Sequence, residues 1–136
     1  MTALLVDTSV AVPLLLASHE AHAVVTQAVA DRSVALAGHA LYETYAVLTR
    51  LPGDARVAPR DAVRLLLERF ASAVVLDAKS SRSVPAVLAA HDLAGGATYD
   101  ALVALAAKPS GVPLASRDRR AEGTYRRLGV SVEMLT

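Results

Sequence analysis

Short runs of apolar residues recur along this chain, each too brief to be a helix, and stretches with helical spacing separate them. The runs are Ala3-Leu4-Leu5-Val6, Val34-Ala35-Leu36-Ala37, Ala73 to Leu76, Val112 to Ser116, and Val130 to Leu135. A strand solvated on one face alternates apolar with polar residues, whereas a strand buried on both faces is continuously apolar. Most of these runs are of the second kind. Strands alternating with helices predict an α/β sandwich with a mainly parallel sheet.

The intervening stretches supply the helices. One runs from about Ser9 to Ala17, with Pro13 marking a bend or an early-turn position. A second covers Glu20 to Arg32, with Val24, Val25, Ala28 and Val29 on one face. Leu41, Tyr45 and Leu48 predict a helix from about His39 to Leu51, stopped by Pro52-Gly53 and separated from the second strand by Gly38. Pro59 stands where a helix begins, and Val63, Leu66, Leu67 and Phe70 read as its apolar stripe. Val84, Val87, Leu88 and His91 mark the next helix, ending near Gly95-Gly96. Thr98 is the expected N-cap of a helix carrying Leu102, Leu105 and Ala106. A last helix covers Arg119 to Leu128 and ends at Gly129.

The 136 residues suit one compact domain, residues 1–136, without linker, repeat or low-complexity segment. Hydrophobic residues make up 54% of the chain, with much Ala and Val, no Trp and a single Phe, Phe70. Small and β-branched side chains suit helices packed closely on a sheet. With no cysteine, disulfides and thiolate metal sites are excluded. Any metal would be held by oxygen or histidine, and carboxylate ligands favour magnesium or manganese. The longest apolar run, Val10 to Ala17, is far short of the ~18 residues of a membrane span. The N-terminal stretch lacks the basic start of a signal peptide, and Asp7 interrupts it. A cytoplasmic location without membrane association is therefore expected.

Net charge is only +1, but the basic residues are unevenly placed. All but Lys79 and Lys108 are Arg, and Arg117, Arg119, Arg120, Arg126 and Arg127 crowd one C-terminal stretch. Such a cluster suits phosphate contacts or a solvated helix face.

In open parallel sheets, ligands bind beyond the carboxyl ends of the strands. Asp7 ends the first strand, and Asp118 lies two residues past the fourth, so both should reach one sheet edge. Glu43 sits among apolar and aromatic residues of its helix. Asp100 opens a helix, a position that acids favour for dipole reasons alone. Four carboxylates sharing a small pocket repel one another, and a divalent cation removes that conflict. It would also orient a water, lower its pKa and offset charge on a phosphoryl oxygen. The acids together point to metal-assisted phosphodiester chemistry.

The ordered set Val6-Asp7-Thr8-Ser9, Glu43, Tyr99-Asp100-Ala101 and Leu114-Ala115-Ser116-Arg117-Asp118 resembles the PIN-domain ribonucleases, and among them the VapC-type toxins of toxin–antitoxin systems. The resemblance covers essentially the whole chain. It implies a three-layer α/β/α sandwich and a Mg2+-dependent endoribonuclease, with Mn2+ as a possible substitute. Asp7, Asp100 and Asp118 would be metal ligands, and Glu43 would bind directly or through water and help orient the attacking water. Ser9 and Ser116 would support the acids by hydrogen bonds. The implied partners are RNA as substrate, a small cognate antitoxin, and a second copy of the chain in a homodimer. Some relatives carry a further acid at the position of Arg120, so a second metal site is in doubt here, and Arg120 becomes a candidate phosphate contact.

Other readings are weaker. A phosphatase with an Asp nucleophile would place a second Asp where Ser9 stands. A phosphoacceptor domain would use Asp77 but needs an acidic partner next to Asp7. A PIN-like protein that binds RNA or antitoxin without cutting is the remaining alternative. His19 and His22 could share a helix face and His39 could share one with Glu43; Tyr42, Tyr45 and Tyr99 read as core or groove residues, with Tyr99 able to stack on a base.

Overall fold

Five parallel strands form the sheet, in the order β3-β2-β1-β4-β5. The computed structural model describes residues 2–136. The strands are β1 (Leu4–Val6), β2 (Val34–Ala37), β3 (Ala73–Val74), β4 (Leu114–Ser116) and β5 (Val132–Met134). The helices are α1 (Thr8–Leu15), α2 (His22–Ala28), α3 (Ala40–Thr49), α4 (Pro59–Arg69), α5 (Ala78–Ala90), α6 (Ala97–Ala107) and α7 (Arg119–Arg127).

Every residue of β1, β2 and β4 is buried, whereas β3 and β5 are half-buried at the two edges. The continuous apolar runs are therefore the central strands, covered on both faces. Helix α1 packs on α2, α3 and α4, and α6 packs on α5 and α7. The helices thus form two groups with the sheet as the middle layer, the sandwich expected from the sequence.

The chain lays β2 and β3 on one side of β1, then crosses to lay β4 and β5 on the other. The order reverses between β1 and β4, which pair Leu5 with Leu114 and Val6 with Ala115. A crevice opens at such a reversal, beyond the carboxyl ends of the strands.

Several local expectations need correction. The second helix is only His22–Ala28, because the chain turns through Asp31 at φ 66° before β2. In α4 the buried face is Ala62, Leu66 and Phe70, while Val63 and Leu67 are 47% and 72% exposed. Leu66 and Phe70 of the expected stripe are buried, and the buried residues follow i, i+4, i+8 rather than the wider stripe. Gly96, not Thr98, stands at the N-cap of α6, so Thr98 lies within the first turn. Of the two positions expected for Pro13, a bend or an early turn, the second is excluded, since Pro13 lies inside α1.

Gly38 links β2 to α3 for a steric reason. Its φ is +51°, and a Cβ there would stand 2.8 Å from the Ala106 Cβ and 3.0 Å from the Leu102 carbonyl oxygen. The glycine lets α6 lie directly against the end of β2. Alanines continue this close approach: Ala35, Ala37, Ala101, Ala104, Ala107 and Ala115 are all buried.

Candidate active site

Asp7, Glu43, Asp100 and Asp118 line one cavity of about 150 Å³, together with Thr8, Ser9, Val103 and Tyr125. Four elements deliver the acids. Asp7 follows β1 and is the N-terminal flank of α1. Asp118 follows β4 and caps α7, its Oδ1 accepting from the Arg120 amide at 2.9 Å. Glu43 and Asp100 lie in the first turns of α3 and α6. Carboxylates are favoured there by the orphan amides and positive dipole end of a helix, and these two helices begin beside the crevice.

Asp7 is the most enclosed acid, only 4% exposed. Ser9 donates to its Oδ1 at 2.6 Å, while Ser116 at 2.6 Å and Tyr125 at 2.8 Å donate to its Oδ2. Burial pushes the Asp7 pKa up, and the hydrogen bonds from Ser116, Ser9, Tyr125 and the Val10 amide oppose that shift. Each serine has one hydroxyl proton, committed to Asp7, so each accepts elsewhere: Ser9 from the Arg117 amide at 2.7 Å, and Ser116 from the Asp118 amide at 3.0 Å. The two serines thereby tie the end of β1 to the segment leaving β4.

Tyr125 was not among the residues singled out in the sequence. It is 1% exposed and reaches Asp7 from α7. Its phenol is held protonated, with its pKa raised first by burial and then by the charge of Asp7 and the hydrogen bond to it. The sequence signal was faint: a large polar aromatic at the apolar position of an otherwise charged helix, flanked by Ala121 and Leu128.

Asp100 has its pKa raised to about 6, first by burial and then by the charges of Asp118, Glu43 and Asp7, with Arg120 acting in the opposite sense. The acids therefore feel one another. They do not, however, form a preassembled cage: among the described residues no group of three His, Asp or Glu side chains is already disposed to hold a metal ion. Three of the four have local partners instead. Asp7 faces hydroxyls, Asp118 caps its helix, and Glu43 Oε2 lies 4.0 Å from His39 Nε2.

The remaining expectations separate cleanly. His19 and His22 do not share a helix: His19 Nδ1 accepts from the Ala21 amide, and His22 Nδ1 is 2.8 Å from the Pro13 carbonyl. Tyr42 and Tyr99 are not core residues but are 62% and 54% exposed, and His39 stacks on Tyr99 with ring centroids 5.1 Å apart. Asp77 caps α5 by accepting from the Ser80 amide at 2.7 Å, an ordinary structural role.

Residues 4–127 match the PIN domain family. The chain is 57% identical over 129 residues to Ribonuclease VapC27 of Mycobacterium tuberculosis, covering 95% of this chain and 94% of that protein. Its fold is similar to that of the Mycobacterium tuberculosis toxin VapC20, described as cleaving the sarcin-ricin loop, with a TM-score of 0.67 and 21% identity over 88% of this chain and 93% of that one. It is also similar to VapBC-5 of Mycobacterium tuberculosis, a member of the VapBC family of toxin–antitoxin systems, with a TM-score of 0.56 and 18% identity over 98% of each chain. With its acids gathered at the point where the strand order reverses and with these relatives across nearly its whole length, the chain belongs to the PIN domain family.

Proposed function

We propose that this chain, acting as one nuclease domain, is a divalent-metal-dependent endoribonuclease of the VapC type, the toxin of a pair neutralised by a small antitoxin. The observation that carries the reading is the cavity shared by Asp7, Glu43, Asp100 and Asp118, delivered by four different elements. The 57% identity to a ribonuclease supports the same activity. RNA is the substrate, Mg2+ or Mn2+ the cofactor, and a homodimer in the cytoplasm the working state.

The donor set fits a hard cation. All four acids offer oxygen, and Asp100 is destabilised as an anion first by burial and then by the other three, a conflict that a bound cation relieves. Asp7, Asp100 and Asp118 would hold the ion, with Glu43 joining directly or through water. When bound, the ion supplies charge stabilisation at the phosphoryl oxygen and acidifies water.

The chain's own residues do the rest. Ser116 and Tyr125 both donate to Asp7 Oδ2, whereas Oδ1 receives one side-chain hydroxyl, that of Ser9. Glu43 would hold and orient a water and accept its proton at a carboxylate oxygen. Hydrolysis forms a bond from that water oxygen to phosphorus as the bond to one ribose oxygen breaks, and the departing oxygen takes up a proton. Asp118 is kept in place by its cap on α7 and by the Ser116 link.

The test is to incubate antitoxin-free protein with a broad pool of structured RNAs and Mg2+, and to map new ends. Cuts that vanish with chelator and in Asp7→Ala are expected. Cleavage that survives either condition would overturn the metal mechanism, and RNA binding without new ends would favour a non-catalytic protein.

A further inference from the structure

The C-terminal arginines do not share one fate. Arg126 pairs with Glu122 at 2.9 Å, and Arg127 donates to the His91 carbonyl at 3.2 Å. Arg120, the candidate phosphate contact by sequence, is 93% exposed in its side chain and leans back on Asp118 at 3.5 Å. Arg119 is exposed at the start of α7. Arg117 differs from all of these. It is half-buried, its backbone is pinned to Ser9, and among the described residues its Nε is buried with no hydrogen-bond partner.

A buried charged donor without an acceptor is an unusual feature of a folded chain. Arg117 also lines an open cavity of about 390 Å³ with Thr8, Ser9, Val12, His19 and Asp118. Three of those residues, Thr8, Ser9 and Asp118, also line the cavity of the four acids. The two hollows therefore adjoin, with the acids on one side and the Arg117 side chain on the other. A cation in the acidic hollow would take the phosphate being cleaved, and the neighbouring anion on a polynucleotide is the next phosphate. Guanidinium matches phosphate oxygens in shape and charge and holds them by charge-assisted hydrogen bonds.

We propose that Arg117 forms a second subsite that binds an RNA phosphate flanking the scissile one. This rests on the ribonuclease reading above. Burial of Nε limits where the guanidinium can swing, so the contact would fix which phosphate lies over the acids as well as adding affinity.

The full chain, freed of antitoxin and held in EDTA so that nothing is cut, is titrated with a fluorescent single-stranded RNA across a range of salt concentrations. Arg117→Gln, Arg117→Lys and, as control, Arg126→Gln are compared with the parent. Loss of one phosphate contact on a single strand shallows the logarithmic salt slope by about 0.7. The expected result is that slope change with RNA binding weakened roughly tenfold in Arg117→Gln, partial rescue in Arg117→Lys, and no change in Arg126→Gln. Mn2+ binding by calorimetry should be the same in Arg117→Gln as in the parent, because the acids are intact; a matching loss of Mn2+ affinity would mean the substitution merely disorders the site and would overturn the proposal. Equal RNA behaviour of Arg117→Gln and Arg126→Gln would also overturn it. So would inorganic phosphate displacing RNA at RNA-like concentrations, which would indicate a free-anion site. If the parent cuts no RNA in Mg2+, the ribonuclease reading fails; if it cuts and Arg117→Gln binds and cuts equally well, only the subsite fails.

Discussion

The Tyr125 hydroxyl on the last helix donates a 2.8 Å hydrogen bond to Asp7 Oδ2 at the end of the first strand. Ser116 donates to the same oxygen at 2.6 Å, so two hydroxyls hold one side of the carboxylate that lines the acidic cavity. Tyr125→Phe removes only that hydroxyl. A buried hydrogen bond to a charged group contributes about 1.5–3 kcal/mol, so the metal-free protein should lose stability of that order in a denaturant titration. The lost donor also lets the Asp7 pKa rise further, since Tyr125 is one of the groups holding it down. Mn2+ affinity measured by calorimetry should therefore fall, with RNA cleavage following it.

Ser116→Ala should be more damaging than Ser9→Ala. Ser116 is fully buried, donates to Asp7 and accepts from the Asp118 amide, so its loss strands groups on two acids at once. Ser9 makes a parallel pair of bonds but is half-buried, where water can replace it. Parallel thermal melts and cleavage assays of the two variants check the order; equal losses would refute it.

Asp100 sets a pH window. Its pKa of about 6 in the folded chain lies above the ordinary 3.8, so the folded state holds the proton more tightly than the unfolded one. Its contribution to stability is then best below about 3.8 and is lost as pH rises to about 6. Asp100→Asn should accordingly raise the melting temperature of the metal-free protein above pH 6 while abolishing cleavage. In the parent, Mn2+ affinity should weaken as pH drops through about 6, because the proton competes for the same oxygens. Affinity flat across that range would contradict this assignment.

Gly38→Ala tests the packing that sets α6 against the end of β2. The added Cβ would meet the Ala106 Cβ at 2.8 Å and the Leu102 carbonyl at 3.0 Å, on a backbone at positive φ. Overpacking of this kind costs about 1–3 kcal/mol, and the left-handed conformation adds to it. Denaturant titration should show that loss. Because α6 carries Asp100, cleavage should fall as well, and a stable, fully active variant would show the approach to be relaxed.

Continuous apolar runs identified β1, β2 and β4 because a strand buried on both faces leaves no room for polar alternation. The edge strand β3 shrank to Ala73–Val74, since an edge is defined by what fails to pair with it rather than by its own residues. The four acids were legible because Asp7 and Asp118 sit at strand ends and Glu43 and Asp100 at helix starts. Tyr125 was not, because a tyrosine on the buried stripe of a helix looks like any core aromatic until its hydroxyl is seen to face Asp7.

By itself the sequence determined the alternation of elements, the absence of thiol chemistry and the oxygen character of the site, all of which follow from residue type and local period. Only tertiary structure decided which hydroxyls hold Asp7, which of five neighbouring arginines buries its Nε and which side of α4 is buried. Those outcomes depend on distances between segments more than a hundred residues apart in some cases, such as Ser9 with Arg117. No local pattern encodes such a distance; it is fixed when β1 and β4 pair and the helices close around them.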